Sequence, residues 1–300
     1  MPPGERGSWE RSRLREVALE LVAATSTSLP DDVKARLAGL ASRADSPLAR
    51  LVYESLLANA ELAETSRSPI CQDTGTPQFF ARIGEQFPWK SLLLASLAEA
   101  VEEAQGLGLL RPNSVRWRSG EPRSSAEPWI HVEIVEGSSS AEVVLYLAGG
   151  GASHGGRARV FEPLRWREGL AELVVRAAVE VAPRACPPAV VGVGLGPTAE
   201  SAALLSKRAL LRSPLGSRSW DPDAAELEEV IEEALEGLPI GPSGFGGGPW
   251  LLAVAVETRP VHPSAVAAAV SLGCWAHRRG ILVVTEDLRA ALPYHGGREV

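Results

Sequence analysis

The chain has 300 residues, 45% of them hydrophobic, and a formal net charge of -7. The acidic balance and the lack of a basic stripe argue against nucleic acid or an anionic membrane as partner, and the longest apolar run, residues 264–275, is too short to span a bilayer. Three cysteines, an odd number, and no apolar signal segment argue against a disulfide framework and for a soluble protein in the cytoplasm, with enough apolar residues for one large domain or two intimate lobes.

Residues 1–12 are polar and turn-rich and are expected to fray as a flexible N-terminus, leaving 13–300 as the folded domain. Apolar residues recur every three or four positions over 13–24, 31–42 and 47–63, which predicts amphipathic helices ahead of the loop around Cys71. A further helix is expected over 89–105, stopped by Gly106 and Gly108. Residues 116–127 are polar and read as a lobe linker or surface excursion. Residues 129–136 and 142–147 alternate around Gly137-Ser138-Ser139-Ser140, the pattern of an antiparallel hairpin. Short apolar runs at 189–194, 251–257, 265–272 and 281–285 are separated by helical patterns at 168–181, 198–211 and 224–236. The fold class is mixed α/β (α+β): a helical N-terminal region, then small mixed sheets flanked by helices. Two glycine-rich loops, 149–156 and 241–248, serve either as turns needing positive φ or as close backbone approaches to an anion.

Spacing alone gives no metal site, because Cys71, Cys186 and Cys274 form no CxxC pattern. Isolated cysteines are commonly small buried apolar residues, Asp73-Thr74-Gly75 is by itself a turn, and His262 or Arg111 alone reads as a surface side chain. The run Gly194-Leu195-Gly196-Pro197-Thr198-Ala199, after a strand-like segment, fits a G-x-G-x-x-A dinucleotide fingerprint and would make an oxidoreductase. No second strand ending in an acidic residue follows at the required distance.

Three segments carry a stronger signal. Ser68-Pro69-Ile70-Cys71-Gln72-Asp73-Thr74-Gly75-Thr76 resembles the PxCQDTGT signature of the iron-sulfur (class I) fumarate hydratase and L(+)-tartrate dehydratase family. Cys186-Pro187-Pro188 through Gly194-Leu195-Gly196-Pro197-Thr198-Ala199-Glu200 is similar to its CPP segment. Glu257-Thr258-Arg259-Pro260-Val261-His262, followed by Cys274, is similar to its ET-P-TH segment. The resemblance covers about 13–285 and corresponds to the family's alpha subunit, the N-terminal catalytic half.

The resemblance implies an iron-sulfur hydro-lyase alpha-subunit domain of two lobes around a [4Fe-4S] cluster held by Cys71, Cys186 and Cys274. Three thiolates leave one iron open to act as a Lewis acid on the hydroxyl of a 2-hydroxy dicarboxylate. The implied substrate is fumarate or malate, as in the tricarboxylic acid cycle, with tartrate next. Asp73 and His262 are the implied proton donors beside that iron; Gln72, Arg111 and Gly151 are the implied substrate contacts, Arg111 offering a planar fork to a carboxylate. A separate beta subunit is implied in an alpha2beta2 assembly, supplying the C3 base. Departures fall at Ala148, at Ala152-Ser153-His154, at Gly247-Gly248-Pro249-Trp250 and at Trp275-Ala276-His277-Arg278-Arg279. They leave the choice of diacid open, with His154, Arg157 or Arg159 as candidate new contacts, and they admit a noncatalytic iron-sulfur sensor as an alternative.

Overall fold

The computed structural model describes residues 3–121, 127–181 and 184–300. Helices α1 (Pro3–Thr27), α2 (Asp31–Ala41) and α3 (Pro47–Ser66) come first, then strand β1 (Thr76–Gly84), helix α4 (Lys90–Gly106) and strands β2 (Trp129–Val135) and β3 (Ala141–Ala148). A short helix α5 (Gly150–Ser153), β4 (Arg157–Phe161), α6 (Trp166–Val181), β5 (Ala189–Gly196), α7 (Ala199–Leu210) and α8 (Pro222–Glu236) follow. Strands β6 (Leu251–Thr258), β7 (Val266–Gly273), β8 (Arg279–Val284), β9 (Ala290–Leu292) and β10 (Arg298–Glu299) complete the order. The class is the expected mixed α/β. Helix α1 begins at Pro3, upstream of the Arg13 start that the apolar spacing suggests. Of the expected linker, residues 122–126 lie outside the described residues; before them a turn closes with Arg116 N donating to Glu121 O at 2.9 Å.

Two compact units emerge: Met1–Asp31, Asn59–Ala148 and Arg278–Val300 form the first, Asp32–Ala58 and Gly149–His277 the second. The first holds a six-stranded sheet in the order β10-β9-β8-β3-β1-β2. The expected 129–147 hairpin is corrected here, because β1 lies between its two arms. It pairs parallel to β2 from Gln78↔Trp129 and antiparallel to β3 from Thr76↔Ala148. Burial explains the arrangement. Phe79, Ala81 and Ile83 of β1 sit in the core, whereas β2 exposes Trp129, Val132 and Ile134 and takes the edge. Leu14, Val17, Ala18 and Leu21 of α1 form one helical stripe against Leu93, Leu97 and Val101 of α4 and against the sheet. Each such buried leucine stabilises the unit by about 1.5–3 kcal/mol.

The second unit is layered helix, sheet, helix around β4-β7-β5-β6. β5 and β7 are buried along their whole length. Val191, Val193 and Leu195 of β5 pack with Leu170 and Val174 of α6 and Ile231 and Leu235 of α8. The alternate positions Gly192, Gly194 and Gly196 face α7: a Cβ at Gly194 would lie 2.1 Å from Ala202 O, and one at Gly192 2.3 Å from Ser206 O. Period-two glycine therefore lets helix backbone rest directly on strand backbone.

Candidate active site

In the first unit the Cys71 loop is pinned from several sides. Ile70 N donates to Ser26 O at 3.0 Å, and Asn59 Nδ2 donates to Ile70 O at 2.9 Å. Gly75 N donates to Asp73 Oδ1 at 2.9 Å, an Asx turn that fixes the carboxylate. Gly75 has φ 81°, and a Cβ there would stand 2.7 Å from Leu147 C, so conformation and space both demand glycine. Buried Thr74 ties in a second segment, its Oγ1 accepting from Arg111 N at 2.9 Å and from Asn113 Nδ2 at 3.2 Å. Asn113 Nδ2 also reaches Asp73 Oδ1 at 3.4 Å. Behind the loop, Arg278 Nη1 donates to Asp73 O at 2.6 Å. The unit thus gathers Cys71, Gln72, Asp73 and Arg111, with Gln72 and Arg111 exposed and Cys71 and Asp73 half-buried.

The second unit gathers Cys186, Cys274 and Gly151. The pairing Val190↔Gly273 brings the start of β5 and the end of β7 together, and Trp275 N donates to Cys186 O at 3.2 Å. Cys186 is exposed at φ 52°, a left-handed conformation uncommon outside glycine. The Cys274 thiol faces Ala276 O at 3.6 Å. Gly151 opens toward the chain entering Cys186, where a Cβ would meet Arg184 O at 3.2 Å. Its loop holds Gly149 at φ -64° and starts α5, while the second glycine loop is the one with positive φ, at Gly241, Gly244, Gly246 and Gly247. Arg157 is engaged locally, donating to His154 O at 2.6 Å, and Arg159 lies over the Phe161 ring at 5.1 Å.

His262 is placed differently. It sits in the exposed turn between β6 and β7, its Nδ1 accepting from Ser264 N at 3.1 Å. Cys274 follows the other end of the 8-residue strand β7, and about 26 Å of extended chain separates the two. Within its own unit, then, His262 lies at the end of β7 opposite to Cys274.

None of the three cysteines is joined in a disulfide. Within neither unit, among the described residues, are three His, Cys, Asp or Glu side chains placed to hold a metal ion. The chemistry of the donors nonetheless fits an iron-sulfur group, since thiolate is its usual ligand. A buried guanidinium at Arg278, whose Nε has no acceptor, suits an anionic neighbour. The dinucleotide alternative loses its physical basis, because Gly194 and Gly196 are filled by α7. Its helix N-terminus is closed by its own capping box, Thr198 N donating to Ser201 Oγ at 3.1 Å.

A family model described as fumarate hydratase (Fumerase) matches residues 15–283. The chain belongs to the fumarate hydratase family. It is 40% identical over 281 residues to the L(+)-tartrate dehydratase subunit alpha of Escherichia coli strain K12, covering 92% of each chain. The same values hold for the subunit of that name from Shigella sonnei strain Ss046. A Methanocaldococcus jannaschii relative, provisionally given the same name, is 30% identical over 284 residues, 92% of this chain and 99% of its own. This family member is a hydro-lyase by that membership. Among its described residues no helix is long and apolar enough to cross a membrane.

Sequence reading missed Thr74, Asn113 and Arg278 as parts of this fumarate hydratase-type loop. Asn113 stands two residues after Arg111, and Arg278 four after Cys274. Either could have been suspected from its distance to a motif residue, but only the pairing of the strands shows that they meet Asp73 and Thr74.

Proposed function

We propose that the chain is the alpha subunit of a two-subunit hydro-lyase that reversibly dehydrates a 2-hydroxy dicarboxylate. Tartrate is the first substrate to test because the 40% identical relatives are named for it, and malate with fumarate is the second. The observation that carries this reading is the Asp73 carboxylate, oriented by Gly75 N–H two residues after a free thiol and joined through Thr74 to an exposed arginine.

Cys71, Cys186 and Cys274 would hold a [4Fe-4S] cluster, which when bound supplies Lewis acidity to the substrate hydroxyl. The remaining work falls to side chains. The Arg111 fork and the Gln72 amide take a carboxylate and set its orientation. Asp73 delivers a proton to the departing C2 oxygen, which leaves as water. A base takes the C3 proton, and we assign that base to the separate beta subunit in an alpha2beta2 assembly. His262 shares in the proton step only where assembly brings its turn to a site, since its own β7 holds it away from Cys274.

The test is anaerobic co-expression with the beta subunit, then iron and sulfide analysis and a screen of tartrate, malate and fumarate. Turnover of one diacid by the iron-loaded pair, and none by this chain alone, is the expected result. An iron-free pair after reconstitution overturns the cluster assignment, and a loaded pair inert toward every diacid favours a sensor.

A further inference from the structure

Arg278 is 1% exposed and carries a fixed charge. Its Nη1 donates to the neutral Asp73 carbonyl, its Nε is buried without an acceptor, and none of the described carboxylates pairs with it. Buried charges are ordinarily paired or set against a metal centre. By comparison, partly buried Arg212 pairs with Glu228 and Glu257, and buried Arg279, whose Nε likewise has no acceptor, lies over the Tyr294 ring at 4.8 Å. The backbone of Arg278 is fixed, because Leu147 N donates to its carbonyl at 3.0 Å at the end of β3, the same residue that Gly75 abuts. The guanidinium is tethered to the Cys71–Asp73 loop by its Nη1 bond to Asp73 O, and Arg278 itself follows Cys274 by four residues.

We propose that Arg278 is the fixed counter-cation of the anionic group that the Cys71 thiolate would hold at this loop, and the positioning residue that sets Asp73 through its backbone. This rests on the cluster assignment made above. Deprotonated thiolates and bound sulfide bring net negative charge to a loop whose described residues leave this guanidinium without a carboxylate. The positive charge favours retention of the centre and its reduced state, and the hydrogen bond holds the peptide from which the Asp73 carboxylate projects.

The test uses the full chain with its beta subunit, reconstituted anaerobically as wild type, Arg278→Gln and Arg278→Lys. Iron per chain, the rate of iron loss to a chelator and the reduction potential are read beside kcat and KM. Arg278→Gln is expected to lose iron about 10–100-fold faster and to shift the potential to more negative values. Arg278→Lys, keeping charge but not the fork, is expected to hold the wild-type potential while kcat falls with KM little changed. Where Arg278→Gln does not fold, the lysine variant decides: a wild-type kcat in it, or a reduction potential shifted from the wild type although the charge is kept, overturns the proposal. Wild-type iron retention and potential in a folded Arg278→Gln also overturn it, and a rise in KM alone would assign the guanidinium to a substrate carboxylate instead. Failure of the wild type to take up iron sinks the cluster assignment as well, so the two failures are distinguishable.

Discussion

Replacing Gly75 with alanine tests whether the cysteine loop is wedged against the sheet. The φ of 81° costs an L-residue about 1–2 kcal/mol in the left-handed region. A methyl group would also enter the Leu147 peptide, 2.7 Å from its carbon and 2.9 Å from its oxygen. Overpacking of that kind costs about 1–3 kcal/mol, because β3 is held in the sheet on both sides and cannot retreat freely. The two add to about 2–5 kcal/mol, or roughly 4–20 °C of melting temperature at about 2–4 °C per kcal/mol. Gly137 supplies the internal control: its φ is 69°, yet nothing lies within 4 Å of a Cβ there. Gly137→Ala should therefore show the backbone cost alone, and the difference between the two variants in calorimetric scans isolates the clash. Equal melting temperatures for Gly75→Ala and Gly137→Ala would refute the wedge between the Cys71 loop and β3.

Three further outcomes are expected. Asp73→Asn keeps an oxygen to accept from Gly75 N–H, so urea unfolding should change by less than about 1 kcal/mol. Its turnover in the loaded complex should fall at least ~100-fold, and parallel losses of stability and activity would contradict the acid role. Gly194→Ala must lift α7 off β5 and should lower stability by about 1–3 kcal/mol or more; a wild-type thermal melt, or nicotinamide nucleotide binding that the substitution abolishes, would restore the dinucleotide reading. Burial pushes the Tyr53 phenol pKa up while its hydroxyl donates to Pro249 O. A raised folded pKa leaves that contribution whole below the unfolded value near ~10 and removes it as pH rises beyond. Stability should thus decline above about pH 10 less steeply in Tyr53→Phe than in wild type, and identical alkaline slopes would disprove it.

Segments with one strong period were readable from the sequence. The helical stripes of α2, α4 and α7 and the largely apolar strands β5, β6 and β7 follow directly from residue spacing. β1 escaped notice because Pro77 opens it and Arg82 interrupts it, and without β1 the arms at 129–135 and 141–148 look like neighbours. Pairing between strands remote in sequence is set by competition for burial, which no local window contains. At the site the same division holds. The cysteines and Asp73 are proposed from contiguous motifs, whereas Thr74, Asn113 and Arg278 owe their places to contacts spanning 37 to 205 positions. His262 shows the reverse case, a motif residue whose own strand carries it away from the cysteine pair.

The order of the six-stranded sheet has a bearing on biosynthesis. β3 is made by residue 148, yet its partner β8 starts at Arg279, with β9 and β10 after it. On a ribosome the Gly149–His277 portion emerges in between, while one margin of β3, a strand carrying apolar Val143, Leu145 and Leu147, waits unpaired. Nascent chains stalled before the final two dozen residues present an adhesive ribbon of this kind. C-terminal truncation should therefore yield insoluble material, and early engagement by a chaperone should matter more for this polypeptide than its size suggests.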